Sequence, residues 1–321
     1  MAFLLCVLSL LLAACSPSGS RSSEPVAYQV TDTEGTVTAF PAPPKRIITL
    51  SMSTDEVMLG LVEPERMAAV NGLLDDPVSS NVTALVKAIP HRIGNPTVEE
   101  IMALQPDLVV VPDWGDLSIV PSLREAGVKV VVCKGAKNLT EIRETIALLA
   151  AAADEEERGV RLQSMMDEKL AEIEAKVQQI PPEQRKSVVL ISLMSAYGGI
   201  GSSFDEACSL AGVTNGRAAF GIRDGQVMTK EQLVAINPDI LFLPTYNDHG
   251  NYDVDKFRRE YLGDPSLRTM KAIQNRAFAE PFEGYIYNCS QDFVFGVQEI
   301  AYRVYGDAFR QPADEHLSAV D

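Results

Sequence analysis

The chain has 321 residues, 46% of them hydrophobic, with a formal net charge of -16 and a pI near 4.7. That length normally folds as two domains, and the apolar fraction is ample for two cores. Nucleic acid is excluded as a partner, and so is charge-driven binding to an anionic membrane surface, because phosphate contacts need clustered Lys and Arg.

In chain order, residues 2–14 form an almost unbroken apolar run, too short for a stable bilayer span, that ends in Leu12-Ala13-Ala14-Cys15. This ending resembles a bacterial lipobox. The resemblance implies a signal peptide over residues 1–14, cleavage before Cys15 and lipidation of its thiol, so that the chain is exported and anchored on a membrane surface. An ordinary signal peptide or a buried helix is the alternative. No Lys or Arg precedes the run, which leaves its natural start open. Residues 15–26, rich in Ser, Pro and Gly, read as a flexible tether. Two short stretches, 27–31 and 36–40, then flank Asp32-Thr33-Glu34-Gly35 and predict a hairpin, and residues 46–50 predict the opening strand of an N-terminal lobe, 27–153.

Within that lobe, TVEEIMALQPDLVVVP at residues 97–112 returns without a gap as TKEQLVAINPDILFLP at residues 229–244, 132 positions later. The period is too long for a solenoid and predicts two similar lobes. Thr97 and Thr229 are N-cap residues, helically spaced apolar positions follow, and Pro-Asp stops each helix. Residues 107–111 and 239–243 are apolar without alternation, as in parallel strands covered on both faces. A helix that feeds such a strand starts at the strand's carboxyl edge, where open α/β sheets bind ligands. Glu99 and Glu231 therefore belong at that edge, as do the residues just past the strands, among them Asp113, Trp114, Tyr246 and His249.

Residues 138–180 predict helix throughout, ending in a connecting helix, 154–180, in which Met166, Leu170, Ile173, Val177 and Ile180 step by four and three. A C-terminal lobe, 181–312, opens with a strand over residues 187–194. YGGIGSS follows, and its glycines predict a turn at the ligand edge rather than a dinucleotide site, since Phe204 stands where a third glycine belongs. The lobe ends with a strand at 277–280, a Tyr-rich loop and a helix capped by Ser290, with Phe293, Val297, Ile300 and Val304 inward. Residues 313–321 read as a polar tail containing His316. Beyond Cys6 and Cys15, Cys133, Cys208 and Cys289 allow one bridge at most, Cys208 with Cys289, or three buried thiols. His91, His249 and His316 are too few for a zinc or manganese carrier. Candidate ligand contacts lie past strand ends: Ser51, Met52, Asp113, Trp114, Tyr197, Tyr246, His249, Tyr285 and Tyr287, with plain packing as the alternative for each aromatic ring. Arg92 and Arg223 precede the repeated helices, as cations that can neutralise an anionic chelate or as solvated surface residues.

RIITLSMSTDEVMLGL, GNPTVEEIMALQPDLVVVP, LREAGVKVVVC, MTKEQLVAINPDILFLP and LRTMKAIQNRAFAEP resemble the successive motifs of the substrate-binding lipoproteins that serve ABC importers of iron siderophores, haem and cobalamin, over residues 28–307. The resemblance implies an α/β protein of two lobes, with mainly parallel sheets flanked by helices, joined by one long helix around a ligand cleft. It implies no intrinsic cofactor and a small metal chelate as ligand, with a ferric siderophore ranked first and cobalamin or haem next. For haem, a Tyr, Met52 or His249 would be the axial ligand. It also implies a monomer that delivers to a permease dimer with its ATPase, whose arginines receive Glu99 and Glu231; a first-turn carboxylate that only favours its helix dipole is the alternative for each. The rival readings are an enzyme working in the cleft, against which stands the lack of a nucleophile elbow, metal cluster or nucleotide loop, and a purely structural lipoprotein.

Overall fold

The computed structural model describes residues 26–246, 252–312 and 314–320; the signal segment, Cys15, most of the tether and His249 lie outside them. The predicted hairpin is formed by β1 (Tyr28–Thr31) and β2 (Val37–Phe40), and its turn is held by Asp32, whose Oδ1 accepts the amides of Glu34 and Thr36. It does not stand apart. The hydroxyls of Thr33 and Thr38 donate to the carbonyls of Val132 and Val130, so the hairpin covers what would be an open sheet edge.

That sheet is built from β3 (Ile47–Thr49), followed by α1 (Met52–Leu59), then β4 (Met67–Asn71), β5 (Arg92–Ile93), α2 (Val98–Ala103), β6 (Leu108–Pro112), α3 (Val120–Glu125) and β7 (Lys129–Cys133). All its pairings are parallel, in the order β5-β4-β3-β6-β7. The long helical stretch is two helices, α4 (Leu139–Ala153) and α5 (Glu156–Val177). Asp154 takes a left-handed conformation (φ 61°) that ends the first, and Gly159 lets the second pack closely on it: a Cβ there would lie 2.6 Å from that of Ala150. With 22 residues, α5 is about 33 Å long. Its start is fixed to the first lobe, where Arg158 donates to the carbonyl of Leu61 and pairs with Glu63, and its last residue, Val177, packs against Gly212 of the second.

The second lobe runs through β8 (Ser187–Leu190), α6 (Ser203–Leu210), β9 (Thr214–Asn215), α7 (Gly216–Ala219), α8 (Lys230–Ile236), β10 (Ile240–Phe242), α9 (Val254–Leu262), α10 (Lys271–Gln274), β11 (Phe278–Ala279), α11 (Glu283–Ile286) and α12 (Phe293–Tyr305). Its parallel strands lie in the order β11-β10-β8-β9. Taken from the other edge, β9-β8-β10-β11 matches β4-β3-β6-β7, so the duplication extends to strand order, with β5 an extra edge strand.

The repeated residues explain themselves locally. Thr97 with Glu100, and Thr229 with Gln232, close capping boxes that start α2 and α8. Gln105 and Asn237, at the same place in each copy, turn left-handed (φ 50° and 47°) to end them. Asp107 then accepts the amides of Lys45 and Arg46 (2.7 and 2.8 Å), and Asp239 accepts that of Ser187 (2.7 Å). Each aspartate thus clamps the beginning of its lobe's first strand beside its own. Behind the cleft, one apolar cluster passes from the first sheet through α4, α5 and α12 to the second, and each lobe keeps a smaller cluster on its other face.

Three expectations are corrected. The strand expected at residues 187–194 ends at Leu190. Ser290 does not cap the last helix: its Oγ accepts the amide of Asp292 (3.2 Å), the residue from which α12 begins without a side-chain cap. Cys133, Cys208 and Cys289 are free thiols, one of the two arrangements their number left open. The polar tail is no loose end, since residues 314–320 cross back to the first lobe, where the amide of Ala319 donates to Gly60 O (2.9 Å) and its side chain is buried.

Candidate ligand-binding cleft

The carboxyl ends of strands from both sheets converge on a cleft of about 790 Å³. The first lobe contributes Leu50, Ser51, Met52 and Ser53 beyond β3, Asn71 at the end of β4 and Leu73 beyond it, Gly94 and Asn95 before α2, and Trp114 beyond β6. From the second lobe come Ser192, Leu193 and Met194 beyond β8, Tyr246 beyond β10, Tyr252, and Glu283, Gly284, Tyr287 and Asn288 around α11. A smaller recess of about 350 Å³ shares Ser51, Ser53 and Trp114 and is closed by Tyr197, Ser203 and Cys289 on one side and Lys134 to Lys137 on the other.

The floor is polar and firmly bonded. Ser51 caps α1 through its Oγ, which accepts from Thr54 N (3.2 Å), and α1 buries Asp55 and Glu56 directly beneath it. Glu56 Oε2 accepts from Asn288 Nδ2 (2.8 Å), a bond between lobes, and burial together with the nearby Asp292 holds its carboxyl well above the usual range. On the opposite wall, Oε1 of Glu283 accepts the amides of Thr245 and Tyr246 (2.5 and 2.9 Å) and so fixes the loop that carries Tyr246. Tyr287 donates to Ser192 Oγ (2.8 Å), and its ring leans on Tyr197 with centroids 5.1 Å apart. Burial raises the pKa values of both phenols, and it pushes the Cys289 thiol up to about 11. These groups are neutral at pH 7. Among the described residues no group of three or more His, Cys, Asp or Glu is placed to hold a metal ion.

Residues 47–280 match the family model described as Periplasmic binding protein. The chain belongs to this family. Two curated relatives of this periplasmic binding protein, both from Bacillus subtilis, are the uncharacterised ABC transporter substrate-binding lipoprotein YvrC (22% identical, covering 84% of this chain and 82% of the relative) and the "Probable siderophore-binding lipoprotein YfiY" (23%, 86% and 87%). Among solved structures, the apo periplasmic heme-binding protein RhuT from Roseiflexus sp. RS-1 superposes with a TM-score of 0.68 at 21% identity, covering 83% of this chain and 99% of that one. The family and the two-lobed fold joined by a long helix are those anticipated from the motifs.

Of the candidate contacts in this periplasmic binding protein, Ser51, Met52, Trp114, Tyr246 and Tyr287 line the cleft and Tyr197 lines the recess. Four others stand elsewhere. The Arg92 guanidinium is clamped by Asp75 (2.7 and 3.0 Å) and the carbonyls of Val86 and Ile89. Tyr285 is 1% exposed, and its hydroxyl is spent on Pro312 O and Glu315 O. The exposed Asp113 accepts from Gly135 N (2.9 Å), bracing the turn that carries Trp114. Arg223 is exposed, and its backbone lies against Gly199, where a Cβ would come within 2.5 Å of it, so the glycine-rich segment is a close backbone crossing. Glu99 and Glu231 are exposed in the first turns of α2 and α8.

Sequence reasoning missed Glu56, Asn71, Asn95, Met194, Tyr252, Glu283 and Asn288. Asn95 was within reach, two residues before a predicted cap. The partners of the others are set by the packing of distant segments.

Proposed function

We propose that this protein is the extracytoplasmic carrier of an ABC importer, which captures a ferric siderophore in the cleft and hands it to a permease dimer with its ATPase, binding without turnover. The observation that carries this reading is the convergence of both sheets' carboxyl ends on one cleft of about 790 Å³, of a size that suits a small chelate and lined by Trp114, Tyr246, Tyr252 and Tyr287. The descriptions of the relatives support the carrier role, and their being lipoproteins supports lipidation at Cys15 and anchoring in the cell envelope. Exposed Glu99 and Glu231, at the starts of equivalent helices in equivalent lobes, are assigned to the permease contact. The lining favours binding over catalysis, because the Cys289 thiol and the Tyr197 and Tyr287 phenols are all moved away from reactive ionisation.

Haem is the second reading. It is favoured by Met52 and Tyr287 in the lining, both of types that can ligate haem iron. The test is titration of the sole tryptophan, Trp114, with ferric siderophores, cobalamins and haemin. Quenching at one ligand per chain, with the ligand recovered unchanged, is expected. If no chelate binds at micromolar concentration, the carrier reading fails.

A further inference from the structure

Among the described lining residues of the cleft there is no Lys, Arg or His, while Glu56 and Glu283 place carboxyl groups on two walls and Asn71, Asn95 and Asn288 add amides. Two arginines near the cleft are already engaged. Arg92 is clamped by Asp75, and Arg217, buried behind the rim, donates to the carbonyls of Tyr197, Ser195 and Gln226. The adjoining recess is a separate space, in which Lys134 is paired with Glu141 (2.6 Å) and Lys137 is exposed to solvent.

A ligand that sinks into this space loses its hydration on every side. An anion would do so beside Glu283, with no counter-charge among the described lining residues to replace the lost water, and the protonated Glu56 supplies none. A neutral or cationic ligand avoids that cost, and one with peptide or amide N–H groups on its rim meets the Asn, Ser and Glu oxygens as acceptors.

Resting on the chelate-carrier reading above, we infer that the cleft selects by charge: it takes metal chelates without net negative charge and refuses anionic ones. Three hydroxamates balance a ferric ion, and corrinoids carry neutral amides around the ring, so both suit the cleft. Ferric tris-catecholates, ferric citrate and haem with its propionates do not. This separates the siderophore and haem readings.

The experiment compares Trp114 quenching by ferrichrome, ferrioxamine B and cyanocobalamin with that by ferric enterobactin, ferric citrate and haemin. At least one of the first three should bind at micromolar concentration, with each anion about 100-fold weaker or more. An anionic chelate that binds as tightly as the best neutral one overturns charge selection and leaves the carrier reading standing; binding by none of the six sinks both. A second arm uses Leu193→Lys, at a position 37% exposed on the cleft wall, where a longer polar chain does not disturb the core. It should improve binding of the anionic chelates about tenfold and weaken that of ferrioxamine B by a similar factor. No change in either direction would also overturn the inference.

Discussion

Trp114 shows how far one residue can be understood from its neighbours. It is 68% exposed beyond β6, and its indole occupies space that any residue larger than glycine at position 135 would claim, since a Cβ there would come within 2.2 Å of the ring. The ring is therefore held by shape and is not buried. Trp114→Ala is expected to weaken chelate binding roughly 30-fold, the scale of an aromatic anchor worth about 2 kcal/mol, while unfolding free energy changes by less than about 0.5 kcal/mol. Isothermal titration, together with urea unfolding followed by circular dichroism, checks both. Gly135→Ala should displace the indole and shift its emission without unfolding the lobe. Residues of this kind were legible because strand ends point at the ligand edge. Tyr285 and Tyr287 were not separable, as one sits in a one-turn helix and the other caps its end, and they face different ways: one hydroxyl bonds the carbonyls of Pro312 and Glu315, the other Ser192 at the cleft. Arg92 was misread for a similar reason, because its partner Asp75 lies in a single 3-10 turn, residues Gly72–Asp75, too short to show a periodicity.

At the level of elements, the duplicated helix-strand unit was the most legible part of the chain, since its caps, its left-handed stop and its clamping aspartate are all local signals. α2 has six residues and α8 seven, too short to persist unaided, so the capping boxes and packing hold Glu99 and Glu231 in place. Reversing both to Lys places cations at helix starts, at a cost of about 0.3–1 kcal/mol each, and touches nothing in the cleft. Chelate affinity should be retained while uptake by cells carrying the importer is lost. If the double variant instead fails to bind chelate, these carboxylates belong to the ligand site and not to the permease contact. The break between α4 and α5 was less legible, because Asp154 lies in an acidic run that reads as helix start and solvated surface alike. Once the two helices are antiparallel, Gly159 becomes the closest approach between them. Gly159→Val should destabilise the protein by about 1–3 kcal/mol in urea titrations. A neutral result would mean that the pair separates easily.

The whole molecule is tied across its lobes by more than α5, and this the sequence concealed, because the second tie joins residues more than 200 positions apart. Asn81 of the first lobe donates to Asp292 at the start of α12 (2.7 Å) and to Glu315 O in the tail, while Asp292 also accepts from Leu317 N (2.9 Å) and lies 2.6 Å from His316 Nδ1. Next to it, Gln291 donates to Glu56 O and Asn288 to the Glu56 carboxyl. This seam is buried and rich in acids, which gives it a pH dependence with a definite sign. Burial lifts Asp55 to about 8 against the bonds from Thr49 and Asn71, and lifts Glu56 as well. The folded state therefore keeps protons that the unfolded chain releases above about pH 4, so both groups reduce stability as pH rises from there, Asp55 until about pH 8. For His316, burial works against the charged form but the Asp292 carboxylate outweighs it and raises the pKa; this stabilisation is complete below the unfolded value and is lost as pH rises through the folded one. Glu63, Glu141 and Asp239, whose values are lowered, act in the opposite sense, but only below about pH 4. Unfolding free energy should thus fall between about pH 5.5 and 8.5 by on the order of 2 kcal/mol. Asp55→Asn should flatten that slope. Truncation after Pro312 should remove the His316 part of it and lower Tm at every pH. A free energy that stays level or rises between those pH values would show that the seam admits water and that its acids titrate as ordinary surface groups.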